Sequence, residues 1–168
     1  PNAFRFIGES PVVDLIARLA ASHYPETTLR RYLPVPTLIG PDAIPSLPNA
    51  LSHNSPQVRS GAALTLGTSG KSAGHLVPKI ITLLDDDDAF VRASAAEALG
   101  NLGPTARAAA PILAGKLNDK VPRVRAAAVG GLGKTAGDDV TYAALFASAL
   151  NADEASVRIA TTRVLSKL

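Results

Sequence analysis

The chain has no cysteine, no methionine and no tryptophan among its 168 residues, and aromatic residues make up only 4% of it. The lack of cysteine excludes disulfides, cysteine-ligated zinc, iron–sulfur clusters and thiol catalysis. Because aromatic side chains are so scarce, the interior must be built from Ala, Leu, Val and Ile. Such residues suit closely spaced helices better than an aromatic-rich β core.

Long apolar runs and concentrated charge of one sign are also absent. No stretch comes near the ~18 consecutive apolar residues of a membrane span, and none resembles the apolar region of a signal peptide. We therefore predict no transmembrane segment; the compartment stays open, with the cytoplasm favoured. The net charge of +3 comes from interspersed acidic and basic residues. A nucleic-acid-binding protein usually concentrates its basic residues on one face, so nucleic acid is not the predicted partner.

A repeat of 33 residues is the main pattern in the sequence. Val-Arg recurs in this register at Val58-Arg59, Val91-Arg92, Val124-Arg125 and Val157-Arg158. Leu-Gly follows it at Leu66-Gly67, Leu99-Gly100 and Leu132-Gly133, with Leu165-Ser166 as a weakened last copy. Self-similarity at such a period is typical of stacked repeats that share one continuous core.

Each repeat is predicted to contain two helices, as the copy that begins after Asp86 illustrates. Asp87 or Asp88 can cap a first helix, helix A, whose apolar stripe ends on Gly100, a residue suited to the position after a helix. Pro104 then leads into a second helix, helix B, which closes at residues 118–119. The same pattern fits residues 54–86 and 120–152. Residues 153–168 form a lone helix A, which is either a cap or a surface that meets a partner.

The repeat pattern V-R-x-x-A-A-x-A-L-G-x-L-G, followed by A-x-P-x-L and L-x-D, resembles the short HEAT-like repeats typified by the phycobilisome lyase family. The resemblance covers residues 41–168. It implies an all-α fold, a right-handed α-solenoid of stacked antiparallel helix pairs. Residues 1–40 are predicted to hold an N-terminal arm, a helix and the degenerate helix of a first repeat, and 41–168 the array, as one domain.

Motifs that suggest chemistry have simpler structural interpretations. The acidic run 85–88 fits the turn before a helix better than a calcium loop, which needs alternating ligands and a glycine. Residues 128–135 match a relaxed phosphate-loop pattern but lie in register with helix A, without the strand that such a loop requires. The three histidines share no ligand spacing and form no His-Glu pair. We predict no catalytic residue, no metal site and no cofactor.

The arginine of each Val-Arg pair is predicted to have a structural role. HEAT-like arrays usually pair this arginine with an aspartate of an inter-helix turn, and the candidate partners are Asp86, Asp119 and Asp153. An arginine shared with carboxylates is poorly available for phosphate. The alternative, a phosphate-binding stripe, stays open at this point.

Helix B positions outside the shared core stripe indicate a binding surface. In HEAT-like solenoids helix B lines the concave face, so these positions would form a mixed apolar and basic strip. The predicted partner-binding residues, with those of the N-terminal arm, are Lys79, Leu83, Arg107, Ile112, Lys116, Leu145, Phe4 and Phe6. Apolar anchors bordered by charge favour a protein partner. Packing of Ile112 and Leu145 between neighbouring repeats is the alternative.

The sequence therefore predicts a non-catalytic protein-binding scaffold or adaptor. Such a protein can also be a subunit of a larger assembly. Two alternatives stay open. The resemblance implies a component of a bilin lyase of the phycobilisome type, and the repeat also occurs in DNA-binding modules.

Overall fold

A computed structural model describes residues 47–137 and 139–167, and these residues fold as stacked helix pairs. The α-helices, numbered in chain order, are α1 Leu47–Ala50, α2 Pro56–Thr68, α3 Val77–Thr82, α4 Ala89–Leu102, α5 Ala110–Gly115, α6 Pro122–Ala136, α7 Ala143–Leu150 and α8 Ala155–Leu165. Short 3-10 segments flank them at Gly70–Leu76, Leu83–Asp85, Gly103–Ala109, Lys116–Asn118 and Val140–Tyr142. The predicted all-α repeat architecture is confirmed.

Helix A of each repeat is a long α-helix and helix B a short one. The helices A are α2, α4, α6 and α8, and each packs against the next along the array. The helices B are α3, α5 and α7, with α1 in the same position for the degenerate first copy. A proline near the start of α3 and of α5 fits the first turn of a helix, where its missing N–H has no intrahelical partner to lose.

The start of helix A follows the predicted cap. Asp88 precedes α4, and its Oδ1 accepts hydrogen bonds from the backbone N–H groups of Phe90, at 2.7 Å, and Val91, at 3.2 Å. These bonds satisfy two of the N–H groups that a helix leaves without partners at its N terminus. The prediction of a cap at Asp87 or Asp88 is confirmed at Asp88.

The predicted end of helix A at Gly100 is wrong. Helix α4 continues to Leu102, and Gly103 ends it with a φ of 57°, a value that side chains with a Cβ rarely adopt. Gly100 has another role, since a methyl group on it would lie 2.7 Å from the Cα of Gly131 in the next helix A. The glycine of the Leu-Gly pair therefore permits two helices A to approach backbone to backbone.

One contiguous apolar core runs through the stack from Leu47 to Val164. The repeated leucines Leu66, Leu99 and Leu132 have no exposed surface. Ala side chains fill the narrow spaces between helices, as the composition predicts. None of the helices in the described part of the chain has the length and apolar character that a membrane span requires.

We expect Gly100→Ala to lower the free energy of unfolding by about 1–3 kcal/mol, because the added methyl group must push α4 and α6 apart. The midpoint of urea unfolding, followed by circular dichroism, measures the change. Gly130→Ala in α6 is the matched control, since its methyl group meets nothing within 4 Å. That variant should be up to about 1 kcal/mol more stable through helix propensity. Equal effects of the two variants would contradict the close-approach role of Gly100.

Candidate protein-interaction surfaces

A ladder of arginine–carboxylate pairs links each helix A to the turn before the next one. Arg59 Nε lies 2.7 Å from Asp86 Oδ2, and its Nη2 lies 2.8 Å from Asp86 Oδ1. Arg92 repeats the arrangement with Asp119, at 2.8 Å from Nε to Oδ2 and 3.1 Å from Nη2 to Oδ1. Such a bidentate pair fixes both direction and distance. The predicted structural role of these arginines is confirmed.

The third guanidinium nitrogen, Nη1, donates hydrogen bonds to backbone carbonyl groups of the turn that precedes the arginine's own helix. Arg92 Nη1 donates to the carbonyl oxygens of Asp86, at 2.8 Å, and Asp87, at 3.0 Å. Arg59 Nη1 donates in the same way to His53 and Asn54, at 2.8 and 3.0 Å. Each guanidinium thus joins two successive turns and leaves few donors for any other ligand.

The third pair differs from the prediction. Arg125 pairs through Nη2 with Oε1 of Glu154, and the expected Asp153 does not take part. Glu154 is the residue directly before α8, so the longer glutamate side chain reaches from one position further along the turn. Asp153 contributes its backbone carbonyl instead, which accepts from Arg158 Nη1.

The ladder shifts the protonation of its carboxylates. Burial would raise the pKa of Asp119, but hydrogen bonds from Arg92 and from the Val121 backbone N–H, with the Arg92 charge, hold that pKa below its ordinary value. Burial would also raise the pKa of Asp86, but hydrogen bonds from Arg59 and from the Asp88 backbone N–H lower it. Both carboxylates therefore stay charged at a lower pH than an unperturbed aspartate does.

Three of the four aspartates in the acidic run before α4 stabilise the fold through their side chains. Asp85 Oδ1 lies 2.6 Å from Lys116 Nζ, Asp86 pairs with Arg59, and Asp88 caps α4. Among residues 47–137 and 139–167, no group of three or more histidine, cysteine, aspartate or glutamate side chains is placed to hold a metal ion. The interpretation of this run as a helix-preceding turn is confirmed.

The phosphate-loop-like segment is also structural. Residues 128–135 lie inside α6, so their glycine amides belong to helical hydrogen bonds and do not point at a ligand. Lys134 Nζ donates to Asn101 Oδ1 at 3.0 Å, which joins α6 to α4. This placement agrees with the expectation that the segment belongs to helix A.

Three residues of the predicted strip lie at equivalent positions on successive helices B. Lys79 on α3 is exposed, while Ile112 on α5 and Leu145 on α7 are half-buried. Leu83, predicted as an exposed anchor, is only 6% exposed and belongs to the core. It lies in the 3-10 segment after α3, which turns its side chain inward. Leu83 is therefore not available to a partner on this surface.

The remaining predicted residues lie elsewhere. Lys116 is half-buried and paired with Asp85, so its charge is partly compensated. Arg107 is exposed in the segment between α4 and α5 and lines a crevice with Asp139 and Val140, away from the strip. The pKa of Asp139 is lowered mainly by hydrogen bonds with Thr141, and the charge of Arg107 lowers it further. Phe4 and Phe6 lie outside the described residues.

Sequence reasoning missed a groove of about 690 Å³ along α6, between α4 and α8. Gly130 on its floor occupies the repeat position that Glu97 holds in α4 and Arg163 holds in α8. The missing side chain opens the surface there. Lys134 and Lys167 also line the groove, which gives its rim a basic character. The 33-residue register contains this signal, because a glycine replaces long side chains at one outward position.

Stacked helix pairs joined by a repeated guanidinium–carboxylate contact define an α-solenoid repeat protein. A family model for HEAT repeats matches residues 44–114 and 77–166. Because these two matches together span well over half of the chain, it belongs to the HEAT repeat family. A comparison with curated protein sequences found no significant match.

Solved structures with a similar fold support this assignment. The complex of CpcE and CpcF of phycocyanin lyase from Nostoc sp. PCC7120 contains a chain similar to this one, with a TM-score of 0.67 and 21% identity. The similarity covers 100% of this chain and 70% of that one. An engineered protein from the Northeast Structural Genomics Consortium has a TM-score of 0.61 and 19% identity, over 92% of this chain and 78% of that one. Identities this low show the fold alone.

We expect Arg92→Gln to cost about 3–5 kcal/mol of unfolding free energy, because it leaves the Asp119 carboxylate buried without its partner. Both side chains of this pair are only 7% exposed. Lys116→Gln is the control, since its partner Asp85 is 75% exposed and the pair should contribute at most ~1 kcal/mol. Urea unfolding of both variants measures the difference. Similar losses in the two variants would contradict a stabilising ladder.

The ladder also predicts the direction of pH dependence. The pKa values of Asp86 and Asp119 are lower in the folded chain than in the unfolded chain, so their contribution is complete above the unfolded value of about 4. This contribution to stability is lost as the pH falls through the pKa values that the two carboxyls have in the folded chain. We expect the free energy of unfolding to decrease as the pH falls below about 4. Asp119→Asn should be less stable at pH 7 but show a smaller decrease, and an equal decrease would contradict the prediction.

Proposed function

We propose that this chain is a non-catalytic protein-binding scaffold whose helix B face holds a partner. The observation that carries the proposal is the placement of Lys79, Ile112 and Leu145 at one repeat position on three successive helices B. We name these three residues the helix B strip. Helices pack about 8–10 Å apart, so the strip extends over roughly 20 Å, enough for a segment of a protein partner.

The composition of the helix B strip suits a protein partner. Ile112 and Leu145 each keep part of an apolar side chain at the surface, and Lys79 is exposed beside them. Apolar residues at the centre of an interface supply most of its affinity, whereas charges at its rim mainly accelerate association. The partner should therefore present apolar side chains bordered by carboxylates. Lys116 contributes less charge than its position suggests because Asp85 neutralises it.

The rest of the sequence-predicted surface belongs to the proposal in a smaller role. Arg107 is exposed and lies at a separate edge, where it is suited to a second contact with an acidic partner. Phe4 and Phe6 are proposed as an additional apolar contact from the N-terminal arm. DNA binding is not proposed, because Arg59, Arg92 and Arg125 are engaged by carboxylates and so form no phosphate-binding stripe.

A component of a bilin lyase is the second candidate. Its support is the similarity in fold, over the whole of this chain, to a chain of the CpcE–CpcF complex of phycocyanin lyase. A pigment-transfer assay of this chain with candidate subunits tests it directly. Transfer of a bilin that depends on this chain would support the enzyme component, and the absence of transfer in every combination would leave the scaffold alone.

We expect Ile112→Asp to reduce the amount of a stoichiometric partner that co-purifies with the chain by tenfold or more, because the aspartate places a charge at the centre of the interface. Lys79→Glu should mainly slow association. Lys71→Glu is the matched control, an exposed lysine outside the helix B strip. Circular dichroism confirms that each variant is folded. Retention of the partner by folded Ile112→Asp, or its loss from Lys71→Glu, would contradict the proposed surface.

A further inference from the structure

Arg158 is the last arginine of the ladder, and it makes only half of the ladder's contacts. Its Nη1 donates to the carbonyl oxygens of Ala152, at 2.7 Å, and Asp153, at 2.6 Å, as the earlier arginines do in their own turns. Within the described part of the chain, its Nε and Nη2 have no carboxylate partner, in contrast to Arg59 and Arg92. These two donors belong to an exposed guanidinium, which the hydrogen bonds of Nη1 hold in place.

Near Arg158, Leu165 and Ile159 are more exposed than their equivalents in the other repeats. Leu165 is 38% exposed, although the equivalent Leu99 has no exposed surface. Ile159 is 51% exposed, whereas the equivalent Ala93 is 2% exposed. We name the surface formed by Arg158, Ile159, Thr162, Arg163 and Leu165 the α8 face. It combines two large apolar side chains with two cations.

A further repeat stacked at the internal spacing does not fit the α8 face. Internal helices A approach each other at glycine, since a methyl group on Gly100 would lie 2.7 Å from Gly131 Cα. The equivalent residue is Ser166, directly after the end of α8, and its Cβ prevents an approach that close. Ile159, where other repeats have Ser60 or Ala93, supplies bulk suited to a wider separation. The occupant therefore lies further from α8 than an internal helix A does from its neighbour.

A second copy of the chain does not fit the α8 face either. Two such faces in contact would bring Arg158 and Arg163 of each copy together, with Lys167 beside them. Like charges at a shared interface repel, and no carboxylate of the face compensates them. The excess of cations on this surface favours an acidic partner.

We propose that the α8 face binds an acidic amphipathic helix of another protein, with a carboxylate in the turn before that helix paired to Arg158. The helix would cover Ile159 and Leu165 with its apolar stripe. Its carboxylate would pair with Arg158 through Nε and Nη2, the two atoms by which Arg92 binds Asp119. The α8 face shares no residue with the helix B strip, so either proposal can be wrong without affecting the other.

A synthetic peptide of residues 84–102 is a defined probe for this site. It carries Asp86 in the turn before α4, the Asp88 cap and an apolar stripe through Val91 and Leu99, and it is net acidic. Titration into the full 168-residue chain, followed by NMR of the Arg158 side-chain Nε–H, reports binding at the guanidinium. We expect a shift of that signal. The Asp86→Asn peptide should bind about tenfold more weakly, as the loss of a charged hydrogen bond predicts.

Variants of the chain locate the contact. Arg158→Gln should weaken peptide binding about as much as the Asp86→Asn peptide does. Ile159→Ser, which keeps the guanidinium, should also weaken it, and Lys120→Gln in an exposed turn should not. Equal binding of the two peptides, binding unaffected by both α8 variants, or no binding at millimolar peptide would overturn the proposal. So would sedimentation that shows self-association abolished by Arg158→Gln, since the face would then be occupied by a second copy.

Discussion

The fold depends on one contact, the arginine of helix A that joins the turn before its own helix to the turn before the next. Neither helix A nor helix B can bury its apolar face alone, so the array needs a device that sets the spacing of successive pairs. The guanidinium of Arg92 supplies it through four hydrogen bonds with fixed geometry. With the turns held in place, Gly100 can let α4 and α6 meet at backbone distance.

Several charged side chains hold the repeats together. Asp85, Asp86 and Asp88 each stabilise the fold, and Lys134 ties α6 to α4. Side chains engaged in this way are poorly placed to act on a substrate. The surface carries partly exposed apolar residues bordered by cations, a composition that supports the proposed protein-binding role. Specificity in such an array comes from the positions where one repeat departs from the others, as at Gly130 and Ser166.

Periodicity predicted most of the architecture because packing determines it. The Val-Arg register located every helix A of the described chain, and the Asp88 cap followed from helix chemistry. The end of α4 was misplaced because both Gly100 and Gly103 suit a helix end, and only the position of α6 shows which one is needed for packing. Glu154 was missed because the reach of a side chain across a turn depends on where the next helix begins. Leu83 was misplaced because the 3-10 segment after α3 alters the helical register.

The regularity of the contacts makes the repeats exchangeable. Removal of residues 87–119 would leave Arg59 beside Asp86, with Asp86 now preceding α6, and would set Gly67 against Gly131 where it now meets Ala98. The junction would contain the same groups in the same order. Recombination within such a gene can therefore lengthen or shorten the protein by whole units. Each event would change the length of the proposed binding surfaces, while the contacts between neighbouring repeats stay the same.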